Sequence, residues 1–388
     1  YKPNFKNDLS EILNEIAKIK PNFATENAKI LEVFNHPAQK WVEFTTKFTR
    51  EEMLSLSQIP GLDFTLKQAR FYPENGLAQN IIINLERYYK RKISGRIGFI
   101  RNIVDGIGTN LLTRKNWQKN EIDGEDIKLT LDRRVQILTE STIKNAIKTY
   151  QADSVQVIII RPQDAAILAM ASIEASPSAL ISKIPNISDV FEPGSIFKPL
   201  VMASALDSGS ISTDFICGKC NQPRVIGKYT INNWDENFHP DSTLRDIIKN
   251  SDNIGMSYII EKMGQKTFLD YFHRLKLDQK TGVELSGESI SPLKKYWSEI
   301  DLATASFGQG FAVNQLQMIQ AFNTLANQGI LTAVHLNQDS NLQNYQVFSK
   351  EVVLKMNEIL KYAVENSPVS NLKPKELEVC AKSGTAQV

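Results

Sequence analysis

The arrangement of apolar and polar residues changes character once along this chain. Over the first 120 residues the apolar positions are short and irregular. Glu11 to Lys18 sets Ile12, Ile16 and Ile19 near one face and predicts a short amphipathic helix. Trp41-Val42-Glu43-Phe44 reads as a short strand, and Glu51 to Leu56 as a helix entering a turn at Pro60-Gly61. From about residue 125 the periods lengthen. Ile127 to Leu131 is strand-like, and Asp132 precedes a helical period carried by Val135, Leu138, Ile143 and Ile147. The β-branched stretch Val155 to Ile160, the turn Arg161-Pro162-Gln163-Asp164 and the apolar run Ala165 to Ala171 predict an antiparallel hairpin. A late strand is predicted over Leu377 to Ala381, where Leu377, Val379 and Ala381 alternate to give one buried face. Strands at both ends with helices between them predict an α+β domain with a mainly antiparallel sheet. The boundary is placed at about residue 124, dividing residues 1–124 from 125–388.

Composition narrows the class without naming a function. With 42% hydrophobic and 23% charged residues in 388, wholesale disorder and a membrane bundle are both excluded. The 45 Lys and Arg against 43 Asp and Glu leave a net charge of +2, which gives no electrostatic case for nucleic acid. The basic cluster Arg87 to Arg96, broken by Tyr88 and Tyr89, reads as a solvated face. No apolar run of about 18 residues is present. Three cysteines are too few for a disulfide-built fold. Cys217 and Cys220 form a local disulfide or remain two thiols, since no second pair supports zinc, and Cys380 is expected to be buried in the late strand. His36, His239, His273 and His335 do not cluster, so neither a Ser-His-Asp triad nor a metal site is expected. No phosphate loop and hence no cofactor is expected either.

Three short motifs carry the chemistry. In Glu192-Pro193-Gly194-Ser195-Ile196-Phe197-Lys198-Pro199, Ser195 and Lys198 are three residues apart, which on a helix puts their Cβ atoms about 5–6 Å apart. An interior proline is costly, so Pro199 requires the helix to begin close to Ser195. Serine is a weak nucleophile alone, and a neutral lysine beside it serves as its base. The pattern by itself is weak, because Ser141/Lys144, Ser291/Lys294 and Ser370/Lys373 repeat it. Ser251-Asp252-Asn253 follows the helical stretch Leu244 to Lys249, and alone it reads as an ordinary helix cap. Lys382-Ser383-Gly384-Thr385 closes the late strand, with a glycine that lets a ligand backbone approach and groups suited to a substrate carboxylate. Lys280-Thr281-Gly282 is a similar trio assigned to a structural turn.

In this order and spacing, 56 residues from Ser195 to Ser251 and 131 to Lys382, the three motifs resemble a penicillin-binding transpeptidase domain. Arg70-Phe71-Tyr72-Pro73, Leu85-Glu86-Arg87-Tyr88-Tyr89, Leu129-Thr130-Leu131-Asp132, Phe191 to Pro199 and Phe307-Gly308-Gln309-Gly310 resemble class B penicillin-binding proteins. The likeness runs from about residue 40 to the end, division-type first and elongation-type second. It implies the penicillin-binding fold, an antiparallel sheet flanked by helices with an all-helical subdomain. It also implies an irregular pedestal over 1–124 and a transpeptidase domain over 125–388. Ser195 is the implied nucleophile, Lys198 its base, Ser251 and Lys382 the proton relay, and Asn253 a partner of the donor amide. Thr385 with Ser383, beside Gly384, would hold the terminal carboxylate, and the backbone N–H groups of Ser195 and Thr385 would form an oxyanion hole. The implied reaction cross-links peptidoglycan stem peptides, D-Ala-D-Ala donor to amine acceptor, in septal wall synthesis, with β-lactams as inhibitors. The alternatives are a D,D-carboxypeptidase or β-lactamase-type hydrolase and a non-catalytic cell-wall scaffold. The resemblance further implies a removed N-terminal membrane anchor, a periplasmic catalytic domain, a lipid-linked glycan polymerase as partner, and a missing C-terminal segment of two strands and a helix. Compared with the family, the stretches at 81–85 and 172–190 are short.

Overall fold

The computed structural model describes residues 9–21, 23, 43, 46–59, 62–64, 70–74, 76–101, 117–175, 183–367 and 376–386. The expected strand at 41–44 and the turn at 60–61 lie outside these residues, apart from Glu43, and so does Ser370/Lys373. The chain divides into two compact units, Tyr1–Asn75 and Gly76–Val388.

In the first unit, helices α1 (Leu9–Ile19) and α2 (Arg50–Leu56) occupy the two predicted helical stretches. Thr49 and Glu52 form a capping box at the start of α2, each satisfying a backbone N–H of the other's turn. Leu13, Ile16, Phe23 and Leu56 form a small buried core with Phe48 and Phe64 packed against it.

In the second unit, helix α3 (Gln79–Tyr88) is followed by α4 (Arg133–Tyr150), whose N-cap Asp132 accepts from the N–H groups of Arg134 and Val135. Strands β1 (Ser154–Arg161) and β2 (Ala166–Glu174) make the predicted antiparallel hairpin. Helix α5 (Lys198–Asp207) follows the first motif, and Lys198 through Leu206 are all buried. A helix apolar all round belongs at the centre of a domain, and Lys198 is its one basic residue. The short hairpin β3 (Arg224–Ile226) and β4 (Tyr229–Ile231) leads to α6 (Leu244–Lys249) and α7 (Asn253–Arg274). Helix α8 (Gln315–Ala326) lies between two cores. Leu316 packs with β1, β2 and α3 residues, while Met318, Ala321 and Leu325 join the larger core around α5, α7 and α9 (Lys350–Glu365). Together these elements make the expected α+β fold, its strands paired among the described residues as small antiparallel ladders.

Three expectations are corrected. Ile127 to Leu131 contributes a single bridge, Leu129 to Asn337, rather than a strand. Leu377 to Ala381 forms no strand, and its alternation buries no face, since Leu377 is 61% exposed. A strand exists only where a neighbour completes its ladder, and no described strand lies beside this segment. Cys380 is correspondingly exposed rather than buried, its thiol directed at the Asn357 carbonyl. Cys217 and Cys220, by contrast, are buried and joined by a disulfide.

Candidate active site

Ser195 lies in a 3₁₀ turn, Gly194–Phe197, that runs directly into α5. Pro199 occupies the first turn of α5, where a missing N–H costs nothing. The turn is held from below by Phe197, whose ring meets Phe268, Phe272 and Phe311 edge-on at 6.4, 6.2 and 4.9 Å. Ahead of it, Val190–Phe191 pairs antiparallel with Val313–Asn314. The Gly194 N–H donates to the Gly308 carbonyl at 2.9 Å, and Glu192 Oε1 accepts from the Gly310 N–H at 2.8 Å. Phe307-Gly308-Gln309-Gly310 is therefore the clamp on the Ser195 turn.

Gly308 is required there by space as well as conformation. Its φ is +80°, and a Cβ on it would stand 2.2 Å from the Gly194 carbonyl oxygen. Gly308→Ala is expected to destabilise by about 2 kcal/mol or more, combining left-handed strain with a backbone collision. Gly209→Ala is the matched control, because Gly209 also has positive φ (+69°) but nothing within 4 Å. Equal falls in melting temperature for the two variants would contradict the clamp.

Ser251 connects α6 and α7 with a left-handed φ of +54°, uncommon for serine. Lys198 reaches this turn from α5. Its Nζ lies 2.6 Å from the Ser251 carbonyl oxygen, 3.1 Å from Ser251 Oγ and 2.7 Å from Asn253 Oδ1. Lys382 Nζ donates to the same Ser251 hydroxyl at 3.2 Å and to the Ser383 carbonyl at 2.8 Å. The motifs separated by more than a hundred residues thus converge on one oxygen, Ser251 Oγ. Ser195 Oγ makes no hydrogen bond among the described residues.

Both amines hold protons less firmly than ordinary lysines. Burial pushes Lys198 well below its usual value, the Lys382 charge lowers it further, and Asp252 opposes the shift. Burial brings Lys382 down to about 8. A neutral Lys198 has two N–H donors and a lone pair. Two donors satisfy the Ser251 carbonyl and Asn253 Oδ1, the two shorter contacts, and the lone pair is left for a hydroxyl proton.

The last motif passes beside the nucleophile turn. A Cβ on Gly384 would meet Ile196 N at 3.0 Å and the Pro193 carbonyl oxygen at 3.3 Å, and one on Gly194 would meet the Thr385 carbonyl oxygen at 2.8 Å. Glycine at both positions lets the two backbones approach. Ser383 and Thr385 are exposed on the outer side. A cleft of about 440 Å³ opens beside Asn253, its lining including Thr230, Asn232, Thr304, Phe307 and Gln309.

The decoys separate cleanly. Ser141 and Lys144 are exposed on α4, Lys294 is paired with Asp301, and the Thr281 N–H is tied to Glu288 in a turn. Two site neighbours escaped the sequence reading. Asn233, buried 20 residues before Asn253, accepts from the Asn253 and Ile254 N–H groups through Oδ1 at 2.9 and 3.3 Å. Trp234 Nε1 donates to the Asn250 carbonyl at 3.1 Å. Neither has a spacing signal, since a loop reaching across space has no period. Among the described residues no group of three or more His, Cys, Asp or Glu could hold a metal.

The chain is similar to known proteins in sequence and in fold. The penicillin binding protein transpeptidase domain matches residues 155–388. The chain is 28% identical over 358 residues to the probable peptidoglycan D,D-transpeptidase PbpC of Pseudomonas aeruginosa, covering 87% of this chain and 62% of that protein. It is 25% identical to the peptidoglycan D,D-transpeptidase FtsI of Escherichia coli, covering 76% of this chain and 53% of that one. The chain thus spans between half and two thirds of the length of these curated relatives. Among solved structures, the transpeptidase domain of penicillin-binding protein 3 from Burkholderia pseudomallei superposes with a TM-score of 0.61 at 24% identity, over 66% of this chain and 76% of that one. The sequence match and the shared fold lead to one conclusion: this chain belongs to the class B penicillin-binding protein family.

Proposed function

We propose that the protein is a serine D,D-transpeptidase that cross-links peptidoglycan stem peptides during septal wall synthesis. The observation that carries this is the convergence of Lys198 and Lys382 on the Ser251 hydroxyl beside the Ser195 turn. Ser195 Oγ attacks the carbonyl carbon of the D-Ala-D-Ala bond while neutral Lys198 takes its proton. The oxyanion faces the backbone N–H groups of Ser195 and Thr385, an arrangement worth several kcal/mol of barrier elsewhere. As the C–N bond breaks, the proton passes to the leaving D-Ala nitrogen through Ser251 and Lys382. Asn253 retains an amide N–H beyond its bond to the Asn232 carbonyl, and this second donor suits the donor-peptide backbone. Lys382, Ser383 and Thr385 receive the terminal carboxylate. An acceptor amine then attacks the Ser195 ester, its proton returns along the same path, and the new amide leaves. A β-lactam enters the first half of this sequence, its ring amide opening to a Ser195 ester.

A peptidoglycan substrate supports a catalytic domain working outside the cytoplasm, and membership of the family supports a membrane anchor, a pedestal over residues 1–124 and a lipid-linked glycan polymerase as partner. Among the described residues no helix is long and apolar enough to cross a membrane. The test is product analysis. Full-length protein given a pentapeptide donor and an amine acceptor is expected to release D-Ala and yield the cross-linked product. D-Ala release with water alone as acceptor would favour the carboxypeptidase reading, and no release at all would favour the scaffold.

A further inference from the structure

We propose that His239 is a positioning residue of this site: its Nδ1–H holds the buried Asp252 carboxylate, and through it the Ser251–Asn253 turn against Lys198. The inference rests on the Ser195 acyl-enzyme reading and adds to it a residue that none of the three motifs contains.

Asp252 is fully buried, and its two oxygens have different tasks. Oδ1 caps α7 by accepting from the Gly255 N–H at 2.8 Å. Oδ2 lies 3.3 Å from His239 Nδ1, its one hydrogen-bonding neighbour among the described residues. That pairing fixes the tautomer. Asn233 Nδ2 also stands 3.5 Å from Nδ1, the longer of the two contacts, and one of its two protons goes to the Asn237 carbonyl at 2.9 Å. A buried carboxylate oxygen without a donor is the more costly vacancy, so the proton belongs on Nδ1 and points at Asp252. The backbone that carries the imidazole is itself anchored. The His239 N–H donates to the Cys220 carbonyl at 3.0 Å, within the Cys217–Cys220 disulfide loop, and its own carbonyl accepts from Ser242 Oγ at 2.7 Å.

The route to the chemistry is short. Asp252 sits between Ser251 and Asn253, the two residues that hold the Lys198 amine. Loss of the imidazole would leave Oδ2 to find another donor, and the turn that carries both acceptors would shift with it. The charged groups around the imidazole are Asp252, Asp235 at 3.8 Å from Nε2, and, beyond Asp252, Lys198 with Lys382 on the far side of Ser251. An Asp252 charge no longer shared with an N–H donor acts more strongly on Lys198 and favours its protonated form.

The experiment compares the rate of covalent labelling by a fluorescent penicillin, as a function of pH, in full-length protein and its variants. His239→Ala is expected to slow labelling about 10- to 100-fold, the scale of a small misplacement in a reacting constellation. Its acid limb should move to higher pH. His239→Asn places an amide N–H where Nδ1–H stood and should recover most of the rate, whereas His239→Gln, whose donor reaches the Nε2 position, should not. If His239→Ala does not fold, the Asn and Gln pair decides. A wild-type rate and unmoved limb in His239→Ala, or equal rates in the Asn and Gln variants, would overturn the proposal. Labelling that persists in Ser195→Ala would instead overturn the underlying acyl-enzyme reading, whatever His239 does.

Discussion

Ser195→Ala is expected to abolish covalent labelling by penicillin and release of D-Ala together, while leaving the fold intact. The two halves of the expectation have separate causes. The ester cannot form without Oγ, so covalent catalysis is lost as a whole rather than slowed. Stability should change by no more than about 0.5 kcal/mol, because Oγ makes no hydrogen bond among the described residues and its loss leaves no partner behind. Mass spectrometry of the protein after exposure to a β-lactam reads the first half, and thermal unfolding reads the second. An adduct of unchanged stoichiometry on Ser195→Ala would move the nucleophile elsewhere.

Lys198→Arg is the second large effect, a fall in acylation rate of about 10²–10⁴-fold, the usual contribution of a general base. Arginine carries a positive charge at every accessible pH, so it can donate to Ser251 and Asn253 without accepting a proton. A variant within tenfold of wild type would show that Lys198 serves by charge alone. The wild-type rate should climb with pH as Lys198 loses its proton and level off well below the ordinary lysine value of 10.5, because burial and the neighbouring Lys382 both disfavour the charged form. The sign for Lys382 follows. Lys382→Gln removes a repelling charge, so Lys198 holds its proton more firmly and the acid limb of the profile should move to higher pH.

Some of this arrangement was legible along the chain because its causes are local. Asp132 capping α4, the helix over Glu51 to Leu56 and the Val155 to Ala171 hairpin each arise from residues within a few positions of one another. Pro199 located the start of the nucleophile helix for the same reason. The motif residues were legible through their order, and their resemblance to a known family, rather than through any one spacing. Where the reading failed, the missing cause was a partner in space. The alternation of Leu377, Val379 and Ala381 is sufficient for a strand only when another strand completes the ladder. Asn233, Trp234 and His239 lie in an irregular loop, where no period marks which side chain turns inward.

The sequence by itself determined which residues could do acyl transfer, the order in which the chain presents them, and the helices and hairpin that carry most of them. Tertiary structure decided which of several Ser-x-x-Lys pairs is enclosed. Lys144 and Lys198 are equivalent by spacing, yet one faces solvent and the other is buried in a helix apolar on every side. That burial, with the neighbouring Lys382 charge adding to it, shifts the Lys198 amine toward its neutral form. Tertiary structure also brought Gly308 and Gly384 to within backbone contact of the Ser195 turn. Spacing along a chain sets what local geometry allows; proton affinity depends on what surrounds a group in three dimensions, and only the packed fold supplies that.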